Sequence, residues 1–77
     1  MELITTVEEA VRSIDSFVGL PEDFEFVLAD KLTLHGEEIP YDAAFAMITY
    51  RVFDRGWQQL DVTSVAGGRI YRFKQLQ

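Results

Sequence analysis

Residues 21–36 read PEDFEFVLADKLTLHG, and the conformation of this stretch decides the fold class. As a helix, it would begin at Pro21 with two acids in its first turn. Most of its apolar side chains would then share one side, with Phe26 as the exception: Phe24, Val27, Leu28, Leu32 and Leu34. As a strand, the apolar residues would alternate, with Asp30 as the exception, over more than the typical ~5–6 residues. We predict a helix that ends at Gly36, and a strand or short hairpin stays open as the alternative.

A helix before this stretch begins at the segment Thr6-Val7-Glu8-Glu9. The segment is a capping box, in which the Thr6 hydroxyl accepts from the amide three residues on and the Glu9 side chain reaches back. Apolar residues then recur at helical spacing: Val7, Ala10, Val11, Ile14, Phe17 and Val18. Gly19 is a C-terminal stop, so the sequence predicts a first helix between Thr6 and Gly19.

A third helix is predicted from Pro40 to about Arg55, with Asp42 in its first turn and Gly56 as its stop. One apolar stripe holds Tyr41, Ala44, Phe45, Ile48 and Val52. Much of the remaining surface is also apolar: Ala43, Ala46, Met47, Tyr50 and Phe53. A helix that is apolar nearly all round is buried on more than one side. We therefore predict a central helix, or one whose second face binds a partner through Ala43, Met47 and Tyr50.

The end of the chain has the pattern of a β-hairpin. Two segments of strand-like composition flank Gly67-Gly68, which suits a tight two-residue turn. This turn would place Ala66 opposite Arg69 and Ser64 opposite Tyr71. The predicted core face of the hairpin holds Leu60, Val62, Tyr71 and Phe73. Trp57, directly after the helix stop, is predicted to pack between the helix and the hairpin.

Three helices and a hairpin make an α+β fold with the helices first. Residues 53–57 and 67–73 resemble the last helix and the wing of winged-helix domains, and this resemblance covers little more than the C-terminal half. It implies a helix-helix-helix-β-β order and nucleic-acid binding. A recognition helix offers polar side chains to base edges, and here Ala43, Ala46 and Met47 stand in their place. If residues 24–35 are extended, the order becomes α-β-α-β-β, with a three-stranded antiparallel sheet covered by two helices.

The composition predicts one domain over residues 1–77 that is held together by apolar burial. The chain has 48% hydrophobic residues and no cysteine, so no disulfide contributes to its stability. Acids interrupt the apolar runs in residues 1–20, and no apolar stretch approaches the ~20 residues that cross a bilayer. We therefore expect a cytoplasmic protein that does not bind membranes.

Charge is distributed unevenly along the chain, whose net charge is −6. Residues 1–42 contain eleven acids and two bases, whereas residues 43–77 contain two acids and five bases. The simplest interpretation is that the basic C-terminal half folds back over the acidic half. The alternative is an acidic face and a basic face that each bind something else.

No pattern of catalytic, metal-binding or cofactor-binding residues is present. His35 is the only histidine and lies next to a predicted turn, where a surface position is expected. Glu37 and Glu38 flank the same turn without the spacing of a calcium loop. No serine lies in a nucleophile elbow, and Gly67-Gly68 lacks the residues of a phosphate-binding loop. We therefore expect neither an enzyme nor a cofactor.

Two functions follow from these patterns. The first is a non-catalytic protein-protein interaction or regulatory module, with a homodimer as the simplest assembly and a small protein partner as another. The second is a winged-helix-like nucleic-acid-binding regulator that uses Arg69, Arg72 and Lys74 on the hairpin. The net charge of −6 disfavours the second function.

Overall fold

The computed structural model describes residues 3–16 and 23–75, which form a five-stranded mixed sheet and two helices. The elements in chain order are β1 (Leu3–Thr6), α1 (Val7–Ser16), β2 (Asp23–Leu34), β3 (Glu37–Ile39), α2 (Tyr41–Asp54), β4 (Trp57–Val65) and β5 (Gly68–Gln75). The strand order is β1-β2-β5-β4, and β3 pairs with β2. Strand β1 is parallel to β2, and the other pairs are antiparallel.

The predicted fold class, with helices first and a winged-helix-like order, is wrong. The order is β-α-β-α-β-β, because residues 23–34 form the long strand β2 in place of a second helix. Strand β2 reaches 12 residues because it pairs with β1, β3 and β5 along different parts of its length. Four of its residues in succession are buried and so break the alternation: Phe26, Val27, Leu28 and Ala29. A strand that is buried on both faces loses the alternation that marks a half-buried one.

The alternative order α-β-α-β-β predicted extended residues 24–35 and two covering helices, and β2 includes all of these residues except His35. Its three-stranded antiparallel sheet is also wrong, because the sheet contains β1 and β3 as well. Strand β3 is joined to β2 by the two-residue turn His35-Gly36, in which both residues have positive φ, 53° and 82°. This sign pattern is that of a type I′ hairpin turn.

Helix α1 begins where the capping box predicted. The amide of Glu9 donates to Oγ1 of Thr6 over 3.0 Å, and the helix starts at Val7. The buried side of α1 holds Val7, Ala10 and Ile14. The predicted stop at Gly19 lies outside the described residues.

Helix α2 is confirmed between Pro40 at its N-cap and Arg55 at its C-cap. Gly56 follows with φ of 85°, a conformation that glycine adopts without strain. Both helices pack on one side of the sheet over a core rich in aromatic residues. Trp57 is buried in this core, with its ring 4.6 Å from that of Phe24. Trp57 is thus a buried packing residue, and the contact described for its ring is with β2.

The C-terminal hairpin is confirmed, but its turn lies one residue earlier than predicted. Ala66-Gly67 forms the turn, and Val65 lies opposite Gly68, so Ser64 faces Arg69 instead of Tyr71. Gly68 is the first residue of β5 and not part of the turn. Glycine is required at this position because a Cβ would collide with the backbone oxygen of Leu28. Each residue of β4 therefore faces a residue of β5 two positions earlier than predicted. Because side chains alternate with a period of two, the residues still share the predicted faces of the hairpin.

The predicted burial of Leu60 and Val62 in the core of the hairpin is wrong, since both side chains are exposed, at 52% and 47%. The ladder between β4 and β5 is irregular between Gln59 and Asp61, which places Leu60 at a bulge with half of its surface exposed. A bulge re-aims the side chain of the extra residue away from the regular alternation.

Candidate functional site

Helix α2 presents an exposed apolar surface on the side opposite the core. We call this surface the α2 outward face: it consists of Ala43, Ala46, Met47, Tyr50 and Phe53, all of which are exposed. Met47 is 45% exposed, Tyr50 is 77% exposed and Phe53 is 54% exposed. The predicted partner-binding residues Ala43, Met47 and Tyr50 are brought together here, because spacings of three and four residues follow the helical period.

The fold does not need this surface for its own packing. Ala44, Ile48 and Val52 on the opposite side of α2 are each fully buried in the core. Those three residues attach the helix to the sheet, whereas about half of Met47 and Phe53 and most of Tyr50 stay exposed. Phe53 was not among the predicted partner-binding residues, although its position three residues after Tyr50 is the signal that could have included it.

Side-chain size changes along the α2 outward face. Its N-terminal half carries the small residues Ala43 and Ala46, and its C-terminal half carries Tyr50 and Phe53. Small side chains allow another helix to approach closely, and large ones need a depression to fill. An identical helix in antiparallel orientation offers both features at matching positions.

A network of ion pairs fixes α2 against α1 beside this face. Asp15 accepts from Nε and Nη2 of Arg51 over 3.0 and 2.9 Å, and from Nη2 of Arg55 over 2.9 Å. Hydrogen bonding to Arg51, reinforced by the positive charges of Arg51 and Arg55, lowers the pKa of Asp15. Two-pronged geometry of this kind is specific as well as attractive.

A shallow groove of about 300 Å³ runs along the outward face next to these ion pairs. Val11 of α1 lines one side, and Met47, Tyr50, Arg51 and Asp54 of α2 line the other. The Asp15–Arg51 pair therefore holds the two walls of the groove at a fixed separation.

At the N-terminal end of α2, two tyrosines share a hydrogen bond. The hydroxyls of Tyr41 and Tyr71 lie 2.6 Å apart, and the guanidinium of Arg69 lies 5.0 Å from the centre of the Tyr41 ring. Burial disfavours the phenolate and, together with the bond to Tyr71, raises the pKa of Tyr41. The Tyr41 phenol is therefore neutral at physiological pH, and the cluster connects α2 to β5.

The predicted nucleic-acid-binding residues Arg69, Arg72 and Lys74 do not share one surface. Arg69 lies on the helix-covered face of β5, and the other two lie on the opposite face, because side chains of a strand alternate. Arg72 donates to Glu25 over 3.0 Å and to Asp61 over 3.2 Å, which neutralises its charge.

Many of the basic residues in the C-terminal half form ion pairs with acidic residues of the same chain. Arg51, Arg55 and Arg72 of the basic C-terminal half each pair with an acid of the N-terminal half. These contacts support the interpretation that the basic half folds back over the acidic half. A cavity of about 340 Å³ is lined by Glu25 and Arg72 among others, and these two residues pair with each other.

The free side of β4 is a second exposed feature. In the sheet described, β4 ends the strand path and pairs with β5 alone. Every residue from Leu60 to Gly67 is exposed, including Val62 at 47%. We call the segment Asp61–Val65 the β4 edge.

His35 lies at the surface, where the sequence placed it. Its side chain is 84% exposed, and its backbone amide donates to Oε2 of Glu8 over 3.0 Å. Glu37 and Glu38 are exposed on β3. Across residues 3–16 and 23–75, no three His, Cys, Asp or Glu side chains cluster as metal ligands would. No helix in the same ranges is long and apolar enough to span a membrane.

Comparisons with protein-family models, with curated proteins and with solved structures each gave no match to this chain.

Proposed function

We propose that this protein is a non-catalytic interaction module whose α2 outward face binds a second copy of the chain. The observation that carries the proposal is the exposure of Met47, Tyr50 and Phe53 on a helix whose other side is fully buried. Aromatic and methionine side chains clustered on a surface are typical of the centres of protein interfaces. A contiguous exposed apolar patch is uncommon unless it is used for binding.

A second copy fits this face because the increase in side-chain size along α2 is self-complementary when two helices run in opposite directions. When two α2 helices pack antiparallel about a two-fold axis, Tyr50 and Phe53 of each copy lie over Ala46 and Ala43 of the other. The same patch then serves both subunits, as an isologous contact requires. The antiparallel arrangement also sets the two helix dipoles in opposite directions, which is electrostatically favourable.

Charged residues stand beside this contact. The five residues of the outward face are uncharged, and Arg51 and Asp54 line the groove next to them. Asp42 lies in the first turn of α2, and Arg51 lies in its last turn. In that register Asp42 of each copy approaches both Arg51 and Asp54 of the other, so the apolar side chains and not the charges carry the contact.

The proposal needs no catalytic step, cofactor or membrane. A chain without cysteine suits a reducing compartment, and we place the module in the cytoplasm on that ground. Regulation by association is the function that such a module would serve.

Sedimentation equilibrium over a wide range of concentration tests the contact. We expect the wild type to associate, and Tyr50→Glu to weaken that association by at least about tenfold, because a carboxylate would be buried without a partner. Gln75→Glu is the matched control, since it adds the same charge at an exposed position on β5. A wild type that stays monomeric, or equal association of Tyr50→Glu and wild type, would contradict the proposal.

A further inference from the structure

The two ends of the sheet are protected to different degrees against pairing with another strand. At one end, β1 is only four residues long and runs directly into α1. Strand β3, which pairs with the other side of β2, has three residues and carries Glu37 and Glu38. Short strands and charged residues are the usual means of blocking an open edge. At the other end, β4 has nine residues with neither lysine nor proline among them, and its bulge at Leu60 and its Asp61 leave the segment 62–65 regular and uncharged.

The main-chain groups of the β4 edge that point outward can be identified from the ladder. The amide of Asp30 donates to the carbonyl of Gly67. Ala29 of β2 and Gly68 of β5 are therefore a non-hydrogen-bonded pair of the antiparallel ladder. The amide and carbonyl of Gly68 therefore point towards Val65 on β4.

Alternation along β4 then follows from this starting point. Val65 and Thr63 direct their main-chain groups towards β5, and Ser64 and Val62 direct theirs away from it. An extended strand placed against this side meets two amides and two carbonyls in the spacing of an antiparallel ladder. The edge thus has the chemistry of a strand-binding site and not of a small-molecule site.

We infer that the β4 edge pairs antiparallel with the β4 edge of a second copy, about a two-fold axis at Thr63. Val62 of each copy lies opposite Ser64 of the other, and the four outward amides and carbonyls of each pair are satisfied. This contact is separate from the α2 outward face and goes beyond the function proposed above.

The side chains of the edge allow this register. Thr63 would face Thr63 of the second copy, a cross-strand pair that is favourable in antiparallel sheets. Asp61 would face Val65 of the other copy, so the two acids stay well apart. Each Asp61 is also bonded to Arg72 within its own chain, over 3.2 Å. No like charges therefore meet across the axis.

A chain that makes two different two-fold contacts forms assemblies larger than a dimer. When the two axes intersect at a right angle, the product is a closed tetramer, and when they do not intersect, it is an open array. The β4 contact alone would join two sheets into one continuous sheet, with both α2 helices on the same side.

The two contacts are separated by measuring assembly in the Tyr50→Glu background, where the α2 contact is removed. We expect Tyr50→Glu to remain a dimer in sedimentation equilibrium, held by β4. Adding Ser64→Pro should raise the dissociation constant at least about tenfold, because it removes one outward amide from each copy. Ser64→Ala is the matched control, since it keeps the amide and should leave the dimer intact.

A second variant guards against misfolding by proline. Thr63→Lys changes an exposed side chain only, and places two positive charges directly opposite each other at the axis, so it should also give monomers. Thr63→Val is its control and should dimerise. The inference is overturned if Tyr50→Glu alone is monomeric, or if the lysine variant dimerises as well as its control. If Tyr50→Glu assembles as the wild type does, the α2 proposal fails instead.

Discussion

Helices α1 and α2 lie side by side on the same face of the sheet, but their outer surfaces are built differently. Helix α1 shows solvent the polar residues that are usual for a surface helix, such as Glu8, Arg12 and Ser16. Helix α2 shows solvent Met47 and Tyr50. Both helices bury a complete apolar stripe, so packing on the sheet explains the inner side of each. The difference on the outer side indicates that α2 has a second surface to cover.

The largest expected effect separates the two sides of α2. Ile48→Ala should lower the free energy of unfolding by about 2–5 kcal/mol, because Ile48 is fully buried and its loss leaves a cavity. Tyr50→Ala should change it by less than about 0.5 kcal/mol when the protein is monomeric. Urea unfolding at low protein concentration measures both values. Equal losses for the two variants would mean that the outer side of α2 contributes to the fold itself.

A smaller effect concerns the contact between the helices. The pKa of Asp15 is lower in the folded chain, so its pairing with Arg51 stabilises the fold above the unfolded pKa of about 4 and ceases to do so as the pH falls through the folded pKa. Asp15→Asn should therefore be less stable than wild type at pH 7, and this difference should shrink towards roughly pH 2. Urea midpoints across this range, with Asp30→Asn as an exposed control, provide the measurement. A difference that does not change with pH would contradict the role of the ion pair.

Local signals predicted the elements whose limits are set locally. The cap at Thr6, the start at Pro40 and the glycine after Arg55 each act within one turn of a helix, and all three are confirmed. Strand β2 could not be predicted in this way, because its conformation depends on pairing with strands that are distant in sequence. Gly68 misled the turn prediction for the same reason, since its role is a close approach to Leu28 on another strand.

The candidate site was predicted to a similar extent. Helical spacing was sufficient to group Ala43, Met47 and Tyr50 on one side of α2. Which of the two apolar sides would be left exposed depended on how the helix docks on the sheet, and the helix pattern does not contain that information. The split of Arg69 from Arg72 across the sheet does follow from strand alternation, and it weakens the nucleic-acid interpretation.

The absence of cysteine from the sequence allows the most direct test of the α2 contact. In the antiparallel arrangement Met47 lies close to the two-fold axis, so a single cysteine at this position in each copy comes within disulfide reach. Under mild oxidation at micromolar protein, we expect Met47→Cys to form a disulfide-linked dimer much faster than the exposed control Gln75→Cys. Equal and slow cross-linking of the two variants would contradict the claim that the outward face of α2 binds a second copy.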